Sequence, residues 1–375
     1  KAKVLMFAAS PQFNLTRNQT KWDAALTASR EAFDICEAAG IGLEDNYGDI
    51  FLKEGSVNKE AIIVRSYSSA LEKRFHNVES RSRPGGTAGG SSHECYVATT
   101  RMIDAYMQAD GTPAPPMDDP NSPYDFWTNR DPRFYATIAY NGSDWMLNGK
   151  ADRRQFTYSG AADGGKPFYC KRFATPLLSQ GSVGISNDKG GSGMDWIEMR
   201  FAEVVLNYAE CLNETNNLVE AKNMVRKIRV RAGVKEGSLD YGLGLASNQE
   251  QMRDLIMNER MVEFAFEGKR SFDLRRTKRF HLINDFLYAP MEVTKKIQRI
   301  NPETNILEEY DLRTYLEEVD PNTGKQRRDT LDIDNESTYR YFFERTSFEG
   351  DRTNSMAFPE RNYFFALPNT FLLSS

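Results

Sequence analysis

The chain has 375 residues, of which 40% are hydrophobic and 27% charged, and its formal net charge is −5 at pH 7. These proportions are typical of an ordinary globular protein, and the interspersed acidic and basic residues give no basic surface for nucleic acid. No apolar run approaches the ~20 residues needed to span a bilayer. Four widely spaced cysteines form no C-x-x-C pair, so a zinc site is not expected and no disulfide pairing can be assigned.

Residues 1–40 form the first zone and have the pattern of a helical hairpin. A first amphipathic helix is expected to end near Ser10 and Pro11. A second helix is predicted over Trp22–Ala39, where apolar side chains recur at helical spacing until Gly40 ends it. Helices joined by a short link pack antiparallel, which is typical of a tetratricopeptide-like scaffold.

Residues 41–194 form a second zone that is rich in Gly, Pro, Asp and aromatic residues. Only short elements are predicted in it, a strand at Ala61–Val64 and a helix at Thr99–Met107. Irregular segments longer than about 15 residues are uncommon in compact domains and are usually functional when ordered. We therefore expect this zone to supply the binding surface, on a frame made by the helices.

Residues 195–280 form the third zone, which reads as the helical core. Asp195–Gly233 predicts two helices separated by Asn216 and Asn217 and ended by Gly233. The apolar repeat of the first predicted helix consists of Ile197, Phe201, Val205, Tyr208 and Leu212. The second predicted helix covers Leu218–Ala232. Such a hairpin is usually used for binding rather than catalysis.

Glu259 lies on the apolar face of the helix that follows this hairpin. A half-buried carboxylate needs a partner, and we expect one of the arginines at 270–276. The arrangement predicts a structural ion network and not an acid–base pair. Asp131, which precedes Pro132, is likewise expected to cap a turn. Residues 281–375 return to irregular structure, and all four zones are expected to form one domain.

Segments along the whole chain resemble the SusD/RagB family of Bacteroidetes, and they occur in the family's order. The matching strings are KAKVLMFAASPQFN, TTRMIDAYMQADGTP, NRDPRFYATIAYNG, RFAEVVLNYAECLNE, VRKIRVRAG, NERMVEFAFEGKRSFDLRR and RNYFFALPNTFLL. The resemblance implies a mainly α fold in which tetratricopeptide-like hairpins carry long irregular loops and few short strands. It implies no catalytic residue, cofactor or metal.

The resemblance also implies a function and a location. Family members are surface lipoproteins that capture glycans, or in some cases peptides, for a SusC-like TonB-dependent transporter of the outer membrane. Because the chain begins at Lys1 inside an amphipathic segment with no N-cap residue, we expect a longer protein whose N-terminal part and lipid anchor lie outside this sequence. Oligosaccharide capture is the leading hypothesis. Oligopeptide capture and a protein-interaction scaffold without a ligand remain alternatives.

The segment Asn121–Trp127, reading NSPYDFW, is the first candidate ligand site. A sugar ring stacks its apolar face on an aromatic plane, while amides and carboxylates bind its hydroxyl groups. Trp127, Tyr124 and Asn121 are therefore candidate ligand-binding residues. The alternative is that Trp127 anchors the loop to the core.

A second candidate lies in the loop Ser66–Tyr96, where Tyr67 and His76 could line a groove for a glycan or a peptide. A solvated loop is the alternative there. The string Asp332–Glu336 lacks the glycine and the distal glutamate of a calcium loop and is not expected to bind calcium. Acidic residues in the loops do not by themselves indicate the carboxylate pair of a glycoside hydrolase, so no enzyme is expected.

Overall fold

The structure, a computed structural model, describes residues 1–68, 75–91, 94–117, 123–162, 164–184, 191–283, 291–346 and 358–364. The fold is mainly α, as predicted, and its helices carry long irregular segments. The α-helices are α1 Ala2–Ala9, α2 Gln19–Ala38, α3 Val78–Ser82, α4 Thr100–Ala105, α5 Pro132–Thr137, α6 Gln180–Val183, α7 Phe201–Glu214, α8 Leu218–Ala232, α9 Gln249–Glu263, α10 Arg270–Arg276, α11 Leu312–Glu317 and α12 Glu336–Phe342. None of the helices in the described part of the chain combines the length and apolar character needed to cross a bilayer.

The strands of the described residues pair only two by two, and every pair is antiparallel. The strands are β1 Ala61–Arg65, β2 Ile138–Ala139, β3 Ser143–Asp144, β4 Arg154–Gln155, β5 Tyr169–Cys170, β6 Trp196–Arg200, β7 Met291–Thr294, β8 Lys296–Ile300, β9 Leu307–Asp311 and β10 Phe343–Thr346. The pairs are β1 with β6, β2 with β5, β3 with β4, β7 with β10, and β8 with β9. These short ladders satisfy backbone groups locally but do not build the core.

The first helical hairpin has the predicted form. Helix α1 ends at Ala9, and α2 begins after Asn18, whose side chain accepts a hydrogen bond from the Thr20 N–H and caps the helix. Both helices pack on α7, where Met6 and Trp22 are buried together with Cys211.

The second hairpin is formed by α7 and α8, and it differs from the prediction at its start. The predicted helix included Ile197, but residues 196–200 form strand β6, so that prediction is wrong for this part. Ile197 pairs with Val64 of β1, which supplies a ladder that outweighs the helical spacing. Gly233 ends α8 with a positive φ of 82°, as expected of a glycine after the last helical turn.

Buried ion pairs join the helices to the irregular segments. Glu263 on α9 lies 2.9 Å from Arg133 of α5 and 2.7 Å from Arg200 of β6, and it also pairs with Arg231 of α8. Glu60, which precedes β1, binds Arg200 at 2.6 Å. Burial by itself would raise the pKa of Glu263, but the three arginines lower it well below its ordinary value.

Glu259 belongs to the same network, but its predicted partner was wrong. It pairs with Arg133 at 2.6 Å and Arg229 at 2.7 Å, and not with an arginine at 270–276. The reason is that Arg276 is already engaged, since it binds Asp273 at 2.8 Å and also pairs with Glu210 of α7. The expectation of a structural ion network is met, although it links segments more than a hundred residues apart.

Removing one carboxylate of this network should destabilise the protein strongly. Glu263→Ala would remove the carboxylate that three buried guanidinium groups share, so the free energy of unfolding should fall by about 3–5 kcal/mol. Urea denaturation measures this change. The control is Glu31→Ala, which removes a 54% exposed partner of Lys1 and should change stability by less than about 1 kcal/mol. Equal effects of the two substitutions would contradict the assigned role of the network.

The buried Asp273 predicts a pH dependence of stability. Burial would raise its pKa, but Arg260 and Arg276 lower it from 3.8 to about 2. Because the folded protein therefore binds this proton less tightly than the unfolded chain, the stabilisation is complete above pH 3.8 and is lost as the pH falls toward 2. The stability difference between the wild type and Asp273→Asn should shrink over that interval in urea titrations. A difference that does not change with pH would refute this prediction.

Candidate functional site

The segment that carries Tyr124 and Trp127 is held at its end by α5. Asp131 caps this helix by accepting a hydrogen bond from the Arg133 N–H, as predicted for a turn-capping residue. The Tyr135 hydroxyl donates to the Trp127 carbonyl at 2.6 Å. The backbone of this segment is therefore tied at Trp127 to a side chain of the helix that joins the ion network.

Trp127 lies inside an aromatic cluster and is only 3% exposed. Its ring stacks on Tyr140 with centroids 5.2 Å apart and meets Tyr339 at 5.2 Å. The indole N–H donates to a carboxylate oxygen of Asp334 at 3.1 Å. In this arrangement the indole anchors the loop and supports its neighbours, which was the alternative reading of this residue.

Tyr124 lies above this cluster and is half-buried. Its ring packs edge-on against Trp127 at 5.7 Å, and its hydroxyl donates to the Asp334 carbonyl at 2.5 Å. Arg345 of β10 donates to the Tyr124 carbonyl at 3.0 Å. Tyr124 is thus fixed from below, from its hydroxyl end and through its backbone, so it offers a ring that is ordered before any ligand arrives.

Charged groups surround the exposed part of Tyr124. The guanidinium of Arg340 on α12 lies 5.6 Å from the Tyr124 ring centroid. Partial burial raises the pKa of the Tyr124 hydroxyl above its ordinary value, and the nearby charges of Asp125, Glu336 and Asp334 add to this effect. The phenol is therefore uncharged at neutral pH and lies among carboxylates.

An aromatic ring beside carboxylates and a guanidinium has the chemical groups that bind a sugar. In sugar sites of this kind, an aromatic ring faces the C–H groups of a pyranose, and charged side chains bind the hydroxyl groups of the sugar. Asp334, Glu336 and Arg340 are exposed, and Arg340 pairs with Glu336 at 2.7 Å. Within the described residues, no group of three or more His, Cys, Asp or Glu side chains is arranged to hold a metal ion.

Tyr67 and His76 also contact each other, and they lie in a different part of the molecule. Their rings meet edge-on at 4.5 Å, and Arg65 lies 5.3 Å from the Tyr67 ring centroid. His76 Nδ1 accepts a hydrogen bond from the Val78 N–H, so Nε2 carries the proton and donates to the Met194 carbonyl at 2.7 Å. Burial lowers the pKa of His76, which keeps the imidazole neutral at pH 7.

The structure therefore brings the candidates together in two pairs. Trp127 and Tyr124 share one cluster, and Tyr67 and His76 form another. Both ring nitrogens of His76 bind the protein itself, whereas Tyr67 remains a candidate for ligand contact. Asn121 lies outside the described residues.

Residues far along the chain complete the Tyr124 surface, and the sequence did not identify them. Asp334, Tyr339 and Arg340 lie about two hundred positions away, as the 210-residue separation between Tyr124 and Asp334 shows. In the sequence, the string Asp332–Glu336 resembles only an incomplete calcium loop. Its acidic and amide character was the available signal, because the same groups bind sugar hydroxyls.

Comparison with known proteins agrees with the predicted resemblance. A model of the SusD family matches residues 59–369. The SusD-like protein P2 of Formosa agariphila is 38% identical over 100 residues, which cover 26% of this chain and 20% of that protein. A SusD-like protein of Bacteroides ovatus is 23% identical over 260 residues, covering 66% of this chain and 39% of that protein.

Solved structures share the fold. A SusD-like protein from Bacteroides fragilis superposes with a TM-score of 0.62 and 21% identity, covering 100% of this chain and 62% of its own. A SusD-like carbohydrate binding protein from the same species gives a TM-score of 0.55 and 24% identity, covering 86% of this chain and 57% of its own. The chain spans less than two thirds of the length of each of these relatives.

Trp127 should contribute more to stability than its position in a loop suggests. Trp127→Ala would empty part of the aromatic cluster, so the free energy of unfolding should fall by about 3–5 kcal/mol. Tyr341→Ala is the control, because Tyr341 is 51% exposed, and its loss should cost less than about 1 kcal/mol. Urea denaturation compares the two. A Trp127→Ala protein as stable as the wild type would mean that the indole does not anchor the loop.

Proposed function

The chain belongs to the SusD family, and from this premise we propose that it captures oligosaccharides at the cell surface and delivers them to a SusC-like TonB-dependent transporter. In this proposal the protein is a lipoprotein on the outer face of the outer membrane, and the helical hairpins serve as its frame. The family membership and the fold shared with a protein described as carbohydrate binding support the proposal.

The observation that carries the proposal is that the Tyr124 ring is already held in place in the absence of a ligand. Its ring is held in place by Trp127, Asp334 and Arg345 and is bordered by exposed polar groups. A ligand that stacks on this ring loses little affinity to ordering the protein, because the ring is already ordered. Asp334 and Arg340 are placed to bind hydroxyl groups at the edge of a stacked sugar.

The same arrangement suits a protein that binds its ligand without catalysing a reaction on it. A protein that only hands on its ligand needs no group that binds a transition state more tightly than the ligand itself. Tyr124 offers a single half-buried ring, so the affinity for a single saccharide is expected to be modest. Modest affinity suits a protein that must release its ligand to a transporter.

The test is isothermal titration with a panel of neutral oligosaccharides and of mixed oligopeptides. Tyr124→Leu keeps apolar bulk over Trp127 but removes the aromatic face, so saccharide affinity should fall at least tenfold, equivalent to about 1.4 kcal/mol. Tyr124→Phe keeps the face and loses only the hydroxyl that binds the Asp334 carbonyl, so binding should stay within a few-fold of the wild type.

The matched control is Phe13→Leu, which removes a ring that is 51% exposed in the first hairpin. It should leave binding unchanged. Saccharide binding that is insensitive to Tyr124→Leu would refute the assigned surface. Peptide binding with no response to any saccharide would support oligopeptide capture instead, and no binding of either class would leave the scaffold as the function.

A further inference from the structure

A cleft of about 650 Å³ opens on another surface, between α4, α9 and the end of α10. Its volume lies within the range of about 300–1,000 Å³ that is usual for small-ligand sites. Four cationic side chains line it, and they outnumber the two carboxylates there. The cationic side chains are Arg101, Arg270, Lys278 and Arg279, and the carboxylates are Asp104 and Asp254.

The two carboxylates of the cleft are already engaged within the protein. Asp254 binds Arg279 at 2.6 Å. Asp104 accepts a hydrogen bond from the Met117 N–H at 2.8 Å. The charges of Arg101 and Arg270 are therefore not matched by the acidic groups that share the cleft with them.

Arg270 is the most informative of these residues. It is half-buried, and its hydrogen bond among the described residues goes to the Met257 carbonyl at 3.3 Å. Burial lowers its pKa; Asp273 opposes this effect, and the positive charges of Arg279 and Arg101 add to it. No ion pair of Arg270 or Arg101 occurs within the part of the chain that the structure describes.

Several buried arginines elsewhere in the protein have carboxylate partners. The fully buried Arg133, Arg200 and Arg276 each lie within 3 Å of at least one carboxylate oxygen. A neighbouring cleft of about 670 Å³ also contains charges, but its Glu214 is paired with Arg253 at 2.6 Å and its Glu210 with Arg276. Arg101 and Arg270, by contrast, have no carboxylate partner among the described residues.

We infer that this cleft binds the anionic group, a carboxylate or a sulfate ester, of an acidic saccharide. A guanidinium binds either anion through paired N–H donors, and Arg101 and Arg270 supply two such groups. Lys278, which lies 4.0 Å from Glu360, adds a further positive charge. The half-buried Met261 lines the same cleft and offers apolar contact to a sugar ring. The inference rests on the proposed function and adds glycans that carry negative charge to the ligands that the protein captures.

The test uses isothermal titration with four probes: trigalacturonate, a sulfated disaccharide, neutral maltotriose and inorganic sulfate. Arg270→Gln should weaken binding of the charged saccharides about a hundredfold, and the exposed Arg101→Gln about tenfold. Binding of maltotriose should not change in either variant. Added salt should weaken the charged probes and not the neutral one.

Arg313→Gln is the matched control, because Arg313 is 47% exposed and lies outside this cleft. It should leave all four affinities unchanged. Circular dichroism and urea denaturation verify that each variant is folded. If Arg270→Gln does not fold, the comparison of Arg101→Gln with the wild type tests the inference.

The outcomes separate this inference from the proposed function. Charged-saccharide binding that neither arginine substitution weakens would overturn the inference, and so would failure of both charged saccharides to bind. If inorganic sulfate binds as tightly as the charged saccharides, the claim that the cleft recognises a saccharide would be overturned. Failure of the Tyr124 surface would instead appear as neutral-saccharide binding that Tyr124→Leu leaves intact, with the effects of the arginine variants retained.

Discussion

The buried ionic network around Glu263 is the interaction on which the rest of the structure depends. It joins β6, α5, α8 and α9 through Arg200, Arg133 and Arg231, and it reaches the start of β1 through Glu60. Moving so many charges out of water is unfavourable unless every group finds its partners, so the network forms only when these segments meet in one arrangement. The short ladders between strands could not impose that arrangement on segments separated by long irregular stretches.

The candidate site is an extension of this network. Arg133 binds Asp131, Glu259 and Glu263, and Asp131 caps the helix that ends the segment containing Tyr124. From the opposite side, residues near α12 and β10 close on the same ring through Asp334 and Arg345. The described part of this irregular segment is therefore held at Tyr124 and again where it enters α5. These contacts explain how a candidate surface without regular secondary structure can still be ordered in the absence of a ligand.

The parts that could be predicted from sequence are those that depend on local patterns. The two hairpins, strand β1 and the glycine that ends α8 follow from periodicity and from backbone preference. The start of α7 was mispredicted because Ile197 and Phe201 are four residues apart, a spacing that a helix favours but that a strand followed by a helix also allows. The partners of Glu259 and the groups beside Tyr124 could not be found, because contacts across 126 or 210 residues leave no local pattern. Aromatic residues in a loop predicted a candidate site, and the structure buries Trp127 beneath it while Tyr124 stays partly exposed.

The most direct test of this account is a crystal structure of the chain with a bound neutral oligosaccharide. The account predicts a sugar ring stacked on Tyr124, with its hydroxyl groups bonded to Asp334, Glu336 or Arg340 and with Trp127 unmoved beneath. A sugar bound at Tyr67 and absent from Tyr124, or a Trp127 turned outward to meet the ligand, would contradict it.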